Sequence, residues 1–335
     1  MRVATWNLEN LFAPVPSGGM PGGVPESAPQ SGPTTPEAYH AKLAALADTI
    51  ASLDPDVMAV QEVGPGPVLE DLAAVIGGTW YTDTADPDER EIRVGLLSRH
   101  PLREVVQVRA FPPGLGPVQV DDHGQTLGEL GRPALKATIT ADGRDVHVVS
   151  VHLKSKLLSL PDGRFSTSDE DERARYAVYA LHRRAAEAAG VRAYATALLD
   201  QATAETSAEA TTAPASPAVV IAGDFNDDPA AATTQILCGP PGSEIGTVGF
   251  SRPDAGDRQR LWNLAALIPE DDRYSRVYRG RHELIDHIFV SAALVHDVTT
   301  VDAGPGASPS ITDDPDARRN EPGSDHRPVH ATFSW

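Results

Sequence analysis

Apolar residues recur in this chain at two spacings, and each spacing predicts an element. Leu43, Leu46, Ala47 and Ile50 fall at i, i+3, i+4 and i+7, the stripe that a helix buries on one side. Thr35-Pro36-Glu37 ahead of them supplies a capping hydroxyl, a first-turn proline and an acid, which together start a helix. Asp54-Pro55-Asp56 stops it. Leu69, Leu72, Ala73 and Ile76 make a second helical face, closed by Gly77-Gly78. A long helix rich in Ala, Arg and Leu is expected from Ser168 to Asp200, and a short one from Pro229 to Cys238. Short apolar runs bounded by turn residues predict strands: Arg2 to Trp6, Val57 to Val63, Ile92 to Ser98, Leu102 to Arg109, Ala134 to Thr140, Asp145 to His152 and Ala218 to Ala222. Four more are expected late, Ser275 to Tyr278, Leu284 to Val290, Leu294 to Val301 and Val329 to Phe333. Ala141-Asp142-Gly143-Arg144 reads as a hairpin turn. Hairpins mixed with strand–helix–strand units predict mixed sheets covered by helices.

Composition adds three interruptions. Gly (28) and Pro (29) concentrate in Ala13 to Thr35, Ala202 to Pro217 and Asp302 to Gly323. Such stretches cannot propagate helix or sheet, so surface insertions are expected near 13–35, 202–217 and 302–323. Length alone, 335 residues, suggests about two domains. The single cysteine, Cys238, excludes an intrachain disulfide and a cysteine-based metal knuckle; it reads as a small buried filler. No apolar run nears the roughly 20 residues of a membrane span. The start, MRVATWNLENLF, lacks the form of a signal peptide, so a mature, cytoplasmic chain is expected. Net charge is −19, from 28 basic and 47 acidic residues. The whole chain thus lacks the basic footprint usual in a nucleic-acid binder. A locally basic cleft stays compatible with that, because net charge says nothing of distribution.

Candidate chemistry gathers where apolar strands end. Trp6-Asn7, Gln61-Glu62, His152-Leu153-Lys154, Asp224-Phe225-Asn226, Asp286-His287 and Ser324-Asp325-His326 set polar groups there. A sheet holds such groups rigidly while loops admit substrate. Each alone has a plain structural reading: Asn7 as a turn former, Glu62 as a solvated loop acid, His152 as a core histidine, Asp224 to Pro229 as a turn and cap. Together they offer histidines, carboxylates and carboxamides without a thiolate. Oxygen donors suit hard cations such as Mg²⁺ or Mn²⁺, and a carboxylate–histidine pair suits activation of water. The set predicts metal-assisted hydrolysis of a phosphate ester.

WNLEN, VQEV, SVHLKSK, GDFND, LIDHIFVS and SDHRPV occur in that order, and they resemble the endonuclease/exonuclease/phosphatase superfamily. The resemblance implies a four-layer α/β sandwich, with two mixed β-sheets packed face to face and helices on the outside. It implies one domain over 1–335, because motifs from both ends must meet in one site. It implies Glu62 as the principal metal ligand with Asn7 beside it, and Asp325 as an indirect ligand or part of a second metal site. Asp224 would hold the attacking water and Asn226 a phosphate oxygen. His326 would be the general base, Asp286 would orient it, and His152 would donate to a phosphoryl oxygen as charge builds.

The wording HLKSK, and Tyr274-Ser275 ahead of LIDHIFVS, resemble bacterial nuclease-like members and tilt the substrate toward DNA or RNA. The alternative is a small-molecule or lipid head-group phosphate, which the net charge favours; a non-catalytic binding protein is the remote alternative. Arg93, Lys154, Tyr274 and Ser275 are the expected substrate contacts, Arg93 as readily a structural ion pair. Lys154 and Lys156 would share the face of His152 if its strand ran on. His287 is expected to point away by alternation. Arg173, Arg175, Arg183 and Arg184 are expected on a solvated helix face, and Trp80 and Trp262 in the core. Asp121-Asp122-His123 and Asp313 to Asp316 are expected to be solvated loops.

Overall fold

Strands form where β-branched and apolar runs meet turn residues. Seventeen occur in the computed structural model, which describes residues 1–14, 32–204, 217–238, 259–305, 308–312 and 317–335. In the first half they are β1 (Arg2–Leu11), β2 (Val57–Val63), β3 (Tyr81–Thr84), β4 (Arg93–Ser98), β5 (Arg103–Ala110), β6 (Val118–Gln119), β7 (Thr126–Leu127), β8 (Glu129–Ala141) and β9 (Arg144–His152). In the second they are β10 (Ala218–Asp224), β11 (Leu261–Asn263), β12 (Arg276–Tyr278), β13 (Arg281–Glu283), β14 (Asp286–Ser291), β15 (Val298–Ala303), β16 (Ser310–Ile311) and β17 (Val329–Phe333). The main helices are α1 (Pro36–Leu53), α2 (Val68–Ile76), α3 (Glu170–Ala204) and α4 (Ala232–Cys238).

One large sheet has the order β15-β17-β1-β2-β4-β3, the other β11-β14-β10-β9-β8-β5. Both are mixed: β1–β2 and β9–β10 are parallel, and their remaining neighbours are antiparallel. Val57, Ala59, Val94 and Leu96 of the first sheet pack against Ala137, Val148, Val220 and Ile288 of the second. On the far side of the first sheet, Met58, Val60 and Leu97 bury Leu43, Leu46, Ile50 and Leu72 of α1 and α2. On the far side of the second, Val149, Val151, Ile221 and Phe289 bury Ala188, Val191, Ala195 and Leu237 of α3 and α4. The result is helix, sheet, sheet, helix: the expected four-layer α/β sandwich. Each large apolar side chain buried this way contributes about 1.5–3 kcal/mol.

Local signals hold well. The Thr35 hydroxyl accepts from the Ala38 N–H and caps α1, with Pro36 in its first turn. The Ala141–Arg144 turn joins β8 to β9 as expected, with Asp142 and Gly143 both at positive φ. The expected strand Leu294 to Val301 is corrected. Ala292–Val295 is a helical turn, and β15 starts only at Val298. The short strands β3 and β11 carried no signal of their own; each forms because a longer neighbour offers an edge. Residues 15–31, 205–216, 239–258, 306–307 and 313–316 lie outside the described residues, and with them most of the insertions expected at 13–35 and 202–217, and the Asp313 loop. The described part of 302–323 folds onto the body: β16 pairs with β12, and Arg318 pairs with Glu9 at 2.9 Å.

Candidate functional site

The alternation of side chains along a strand decides which residues enter the gap between the sheets. On β10, Ala218, Val220 and Ala222 face the gap, whereas Val219 and Ile221 face the helices. Asp224 continues the gap series. The same parity carries Val146, Val148, Ser150 and His152 on β9, and Val290, Ile288 and Asp286 on β14. Register aligns the three ends, since Asp224 pairs with His152 on one side and Asp286 on the other. Gly223 is required for this approach: a Cβ there would meet the Val151 carbonyl oxygen at 1.9 Å.

The opposite wall is built differently. Asn7 follows Val3 on the gap side of β1. On β2, Met58 and Val60 face the helices, so simple parity would send Glu62 away from the site. Instead the β2–β4 register shifts after Val60, and Glu62 adopts a left-handed φ of 60°. Glu9 and Asn10, at φ 49° and 55°, bend β1 in the same way. Glu62 thereby accepts from Asn7 Nδ2 at 3.0 Å and from the Asn10 N–H at 2.9 Å.

Asn7 Nδ2 also donates to Asp224 Oδ2 at 3.0 Å, joining the two walls through one carboxamide. Asp224 Oδ1 accepts from the Asn226 N–H at 2.8 Å, and Asn226 Nδ2 donates to the Leu153 carbonyl at 3.0 Å. His152 Nε2 stands 3.6 Å from Asp224 Oδ2. His326 arrives on the segment before β17. Ser324 Oγ donates to the Asn7 carbonyl and accepts the His326 N–H, and Trp6 Nε1 donates to the His326 carbonyl. His326 Nδ1 lies 2.7 Å from Asp286 Oδ2. One potential ligand atom each from Asp224, Asp286 and His326 falls within 4.8 Å of the others. Beneath this cluster, Thr5 donates to Gln61 and Gln61 donates to Ser150, crossing the gap between the sheets.

Burial and the nearby charge of Asp286 push the Asp224 carboxyl up to about 7. Burial works against a charged His326, but the carboxylates of Asp286 and Asp325 outweigh it and raise the imidazole to about 10. Burial, then the charge of Arg132, holds His152 well below its ordinary value, so its ring is neutral. Burial and Asp325 raise Glu9 to about 7.

The remaining expected residues separate into two groups. Ser275 is fully buried behind Asp286, where its Oγ accepts the N–H groups of Ile285 and Asp286. Tyr274 stacks on His282 at 3.8 Å and lies under the Arg327 guanidinium at 4.2 Å. Arg93 pairs with Glu91 at 3.2 Å. β9 ends at His152, so Lys154 and Lys156 do not continue its face. Lys154 Nζ donates to the Ser155 and Leu157 carbonyls, and Lys156 pairs with Asp227. Asp325 is half-buried beside the cluster.

His287 points away as expected, its Nε2 2.8 Å from the Asp227 carbonyl. Trp262 is in the core, whereas Trp80 is only half-buried under Arg99. The solvated-face reading is corrected for Arg183 and Arg184: Arg184 is buried against Asp227 at 3.0 Å, and Arg183 pairs with buried Glu187 at 2.9 Å. Sequence reading missed Arg276, whose charge is felt by Asp224 and whose backbone forms an isolated antiparallel β-bridge with that of His326. It also missed Arg132, which donates to the His152 carbonyl. Neither stands in a polar strand-end motif, and that was the signal being read.

A family model, described as endonuclease/exonuclease/phosphatase family, matches residues 4–326. The chain belongs to that family. Its members hydrolyse phosphate esters. A comparison with curated proteins gives no match. Among solved structures, the catalytic domain of human Nocturnin, bound to a sulfate anion, is 17% identical with a TM-score of 0.52, over 100% of this chain and 94% of that one. A 3'-5' exonuclease from Neisseria meningitidis is 17% identical with a TM-score of 0.50, over 100% of both chains. TDP2 from C. elegans is 13% identical with a TM-score of 0.51, over 100% of this chain and 75% of that one. At these identities the likeness is one of fold.

The site of this family member fits a hard cation. Two buried carboxylates and a carboxamide converge with one imidazole, Asp286 Oδ1 is buried with no hydrogen-bond partner, and the raised Asp224 carboxyl marks a cluster short of positive charge. Buried charges left in that state demand a counterion. Oxygen donors select a hard one. No helix among the described residues is long and apolar enough to cross a membrane.

Proposed function

We propose that this chain is a metal-dependent phosphodiesterase that cleaves DNA or RNA by in-line attack of water, and that 1–335 forms one domain. The observation that carries the reading is the Asp286–His326 pair at 2.7 Å, set against Asp224 at the open end of the gap. Asp286 engages Nδ1, which fixes the ring orientation; although burial opposes it, the surrounding carboxylates hold the ring protonated, and a cation that took up their charge would free Nε2 to take a proton. Asp224 accepts a hydrogen bond from water and aims its lone pair at phosphorus. His152, neutral and 3.6 Å from Asp224, donates to a phosphoryl oxygen as charge develops. Asn226 keeps one amide hydrogen beyond the one given to Leu153, and directs it to another phosphate oxygen. Glu62, Asn7 and the oxygens of Asp224 are the donors for Mg²⁺ or Mn²⁺, with Asp325 as an outer partner. When bound, such an ion stabilises the charge of the leaving oxygen as a Lewis acid.

The choice of nucleic acid over a small phosphate rests on local charge. The chain is −19 overall, yet Arg132, Arg90 and Lys154 act on His152; Arg132 is paired with Asp88 at 2.7 Å, and Arg90 Nε is buried with no hydrogen-bond partner. A polyanion needs such a flank. The test is nicking of a supercoiled plasmid and degradation of a labelled RNA, with and without chelator. Metal-dependent cleavage of either supports the reading. Failure on both, with hydrolysis of inositol phosphates or sphingomyelin, transfers the site to small or lipid phosphates.

A further inference from the structure

One face of α3 carries charge into the interior. Arg184 is 5% exposed and Glu187 2%, on a helix that already buries Ala188, Val191 and Ala195 against the second sheet. Apolar side chains would hold the helix there as well, because a buried ion pair gains little over an apolar pair of similar volume. What a buried pair adds is fixed geometry, and the contacts of Arg184 place that geometry at two loops of the site.

The first loop follows β10. Arg184 Nε donates to Asp227 Oδ2 at 3.0 Å. Asp227 is held from other sides too. Thr233 Oγ1 of α4 donates to its Oδ2 at 2.6 Å, Lys156 Nζ lies 3.0 Å from its Oδ1, and its carbonyl lies 2.8 Å from His287 Nε2 of β14. Lys156 is exposed, so Arg184 is the buried cation of this set. The second loop follows β9. Arg184 Nη1 donates to the Lys154 carbonyl at 3.1 Å, and Glu187 Oε2 accepts the Lys154 N–H at 2.7 Å. Residues of α3 therefore grip both backbone groups of Lys154.

Between these anchors lies the contact that orients Asn226, whose Nδ2 donates to the Leu153 carbonyl at 3.0 Å. Leu153 immediately precedes Lys154, and Asn226 immediately precedes Asp227. One guanidinium thus stands a single residue beyond both the acceptor and the donor. The Asn226 backbone is left-handed, with φ 54°, a conformation that persists at a non-glycine residue only where its neighbours enforce it. Asp224 Oδ1 enforces it from one side by accepting the Asn226 N–H, and the anchored Asp227 does so from the other.

We propose that Arg184 is a positioning residue: by holding Asp227 and the Lys154 carbonyl together, it fixes both ends of the Asn226–Leu153 hydrogen bond and so aims the remaining Asn226 amide hydrogen at the phosphate. The proposal rests on the phosphodiesterase reading above and deepens it, giving the buried charge of α3 a part in the chemistry.

Two variants test it, each first shown to be folded by circular dichroism. Arg184→Lys keeps the positive charge beside Asp227 and removes the planar fork that reaches both partners. Arg184→Met combined with Asp227→Asn removes both charges, so neither is left buried alone, and it takes the place of Arg184→Lys should that variant not fold. Each is assayed with Mg²⁺ or Mn²⁺ on a labelled single-stranded oligonucleotide and on bis(p-nitrophenyl) phosphate, in the wild-type background and with Asn226→Ala. The expected result is a fall in kcat/KM of at least about fivefold in the wild-type background, since small misplacement of a contacting group is costly. In the Asn226→Ala background the same change should cost no more than about twofold, because residues acting through one contact are not additive. The metal concentration for half-maximal activity should stay as in wild type. A smaller fall, an undiminished fall without the Asn226 carboxamide, or a shifted metal requirement overturns the positioning role and leaves the phosphodiesterase reading intact. A wild-type protein that hydrolyses neither substrate overturns both.

Discussion

The two walls of the site present similar chemistry by unlike means. His152, Asp224 and Asp286 stand on three neighbouring strands of one sheet, in register, and reach the gap by parity alone. Glu62 and the Glu9–Asn10 turn reach it through left-handed backbone at broken register. Left-handed backbone at a non-glycine residue costs about 1–3 kcal/mol and persists only where the surroundings enforce it. Here hydrogen bonds from Asn7 and Asn10 to Glu62 do the enforcing. In the proposed mechanism the regular wall would supply fixed acid–base geometry. The bent wall supplies a carboxylate whose position depends on its own contacts, which suits a ligand that must close around an ion.

The comparison predicts that damage to the regular wall removes the chemistry, whereas damage to the bent wall weakens the metal. Asp286→Asn should lower kcat by about 10²–10⁴-fold with an unchanged circular dichroism spectrum, and His326→Gln, which removes the ring that this wall orients through Asp286, should fall in the same range. Residual activity near wild type would remove the general-base role. Glu62→Gln keeps the side-chain length and one of its two hydrogen bonds, because its single oxygen accepts from Asn7 or from Asn10 and its amide nitrogen accepts from neither. It should raise the Mg²⁺ concentration for half-maximal activity by about 10–100-fold, with kcat at saturating metal close to wild type. If kcat collapses and metal affinity holds, the division between the walls is wrong.

Stability offers a third test. The folded Asp224 carboxyl titrates near 7 against 3.8 unfolded, so the native state binds the extra proton and loses stability as pH rises through that interval. His326 titrates near 10 folded against 6.5. Its contribution is full below about 6.5 and is lost as pH climbs through 10. Both slopes have one sign: in chelator, the melting temperature should fall from pH 5 to pH 10. Added Mg²⁺ should raise it more at pH 8 than at pH 5, since the ion offsets the charge left on Asp224. A flat pH profile in chelator would contradict the buried, coupled cluster.

Ser275→Ala should cost about 1–3 kcal/mol in urea unfolding, because two buried N–H groups lose their acceptor. Arg93→Ala, which removes a partly exposed ion pair with Glu91, should change stability by no more than about 0.5 kcal/mol.

The contrast also explains what could be read in advance. Asp224, Asp286 and His152 were legible as polar groups at the ends of apolar strands, and the period of two, a property of the local chain, carries the gap face of each strand to them. Glu62 was found by resemblance to a family motif and not by parity, which points it at the helices. Ser275 looked like a substrate contact because a serine beside Tyr274 says nothing about which N–H groups it will meet. Arg183 and Arg184 looked solvated because a helix rich in Ala and Arg shows a weak stripe, and their partners Glu187 and Asp227 are fixed only when α3 docks.

Periodicity, capping and turn chemistry, all local forces, therefore determined the strands, the first two helices and the α/β class of this protein. Six ordered motifs determined its family. Tertiary structure alone decided that Asn7 would join Glu62 to Asp224 and that basic residues would gather beside His152 in an acidic chain. Those outcomes depend on Coulomb forces and hydrogen bonds between residues far apart in sequence, and such forces act only once packing has set the distances.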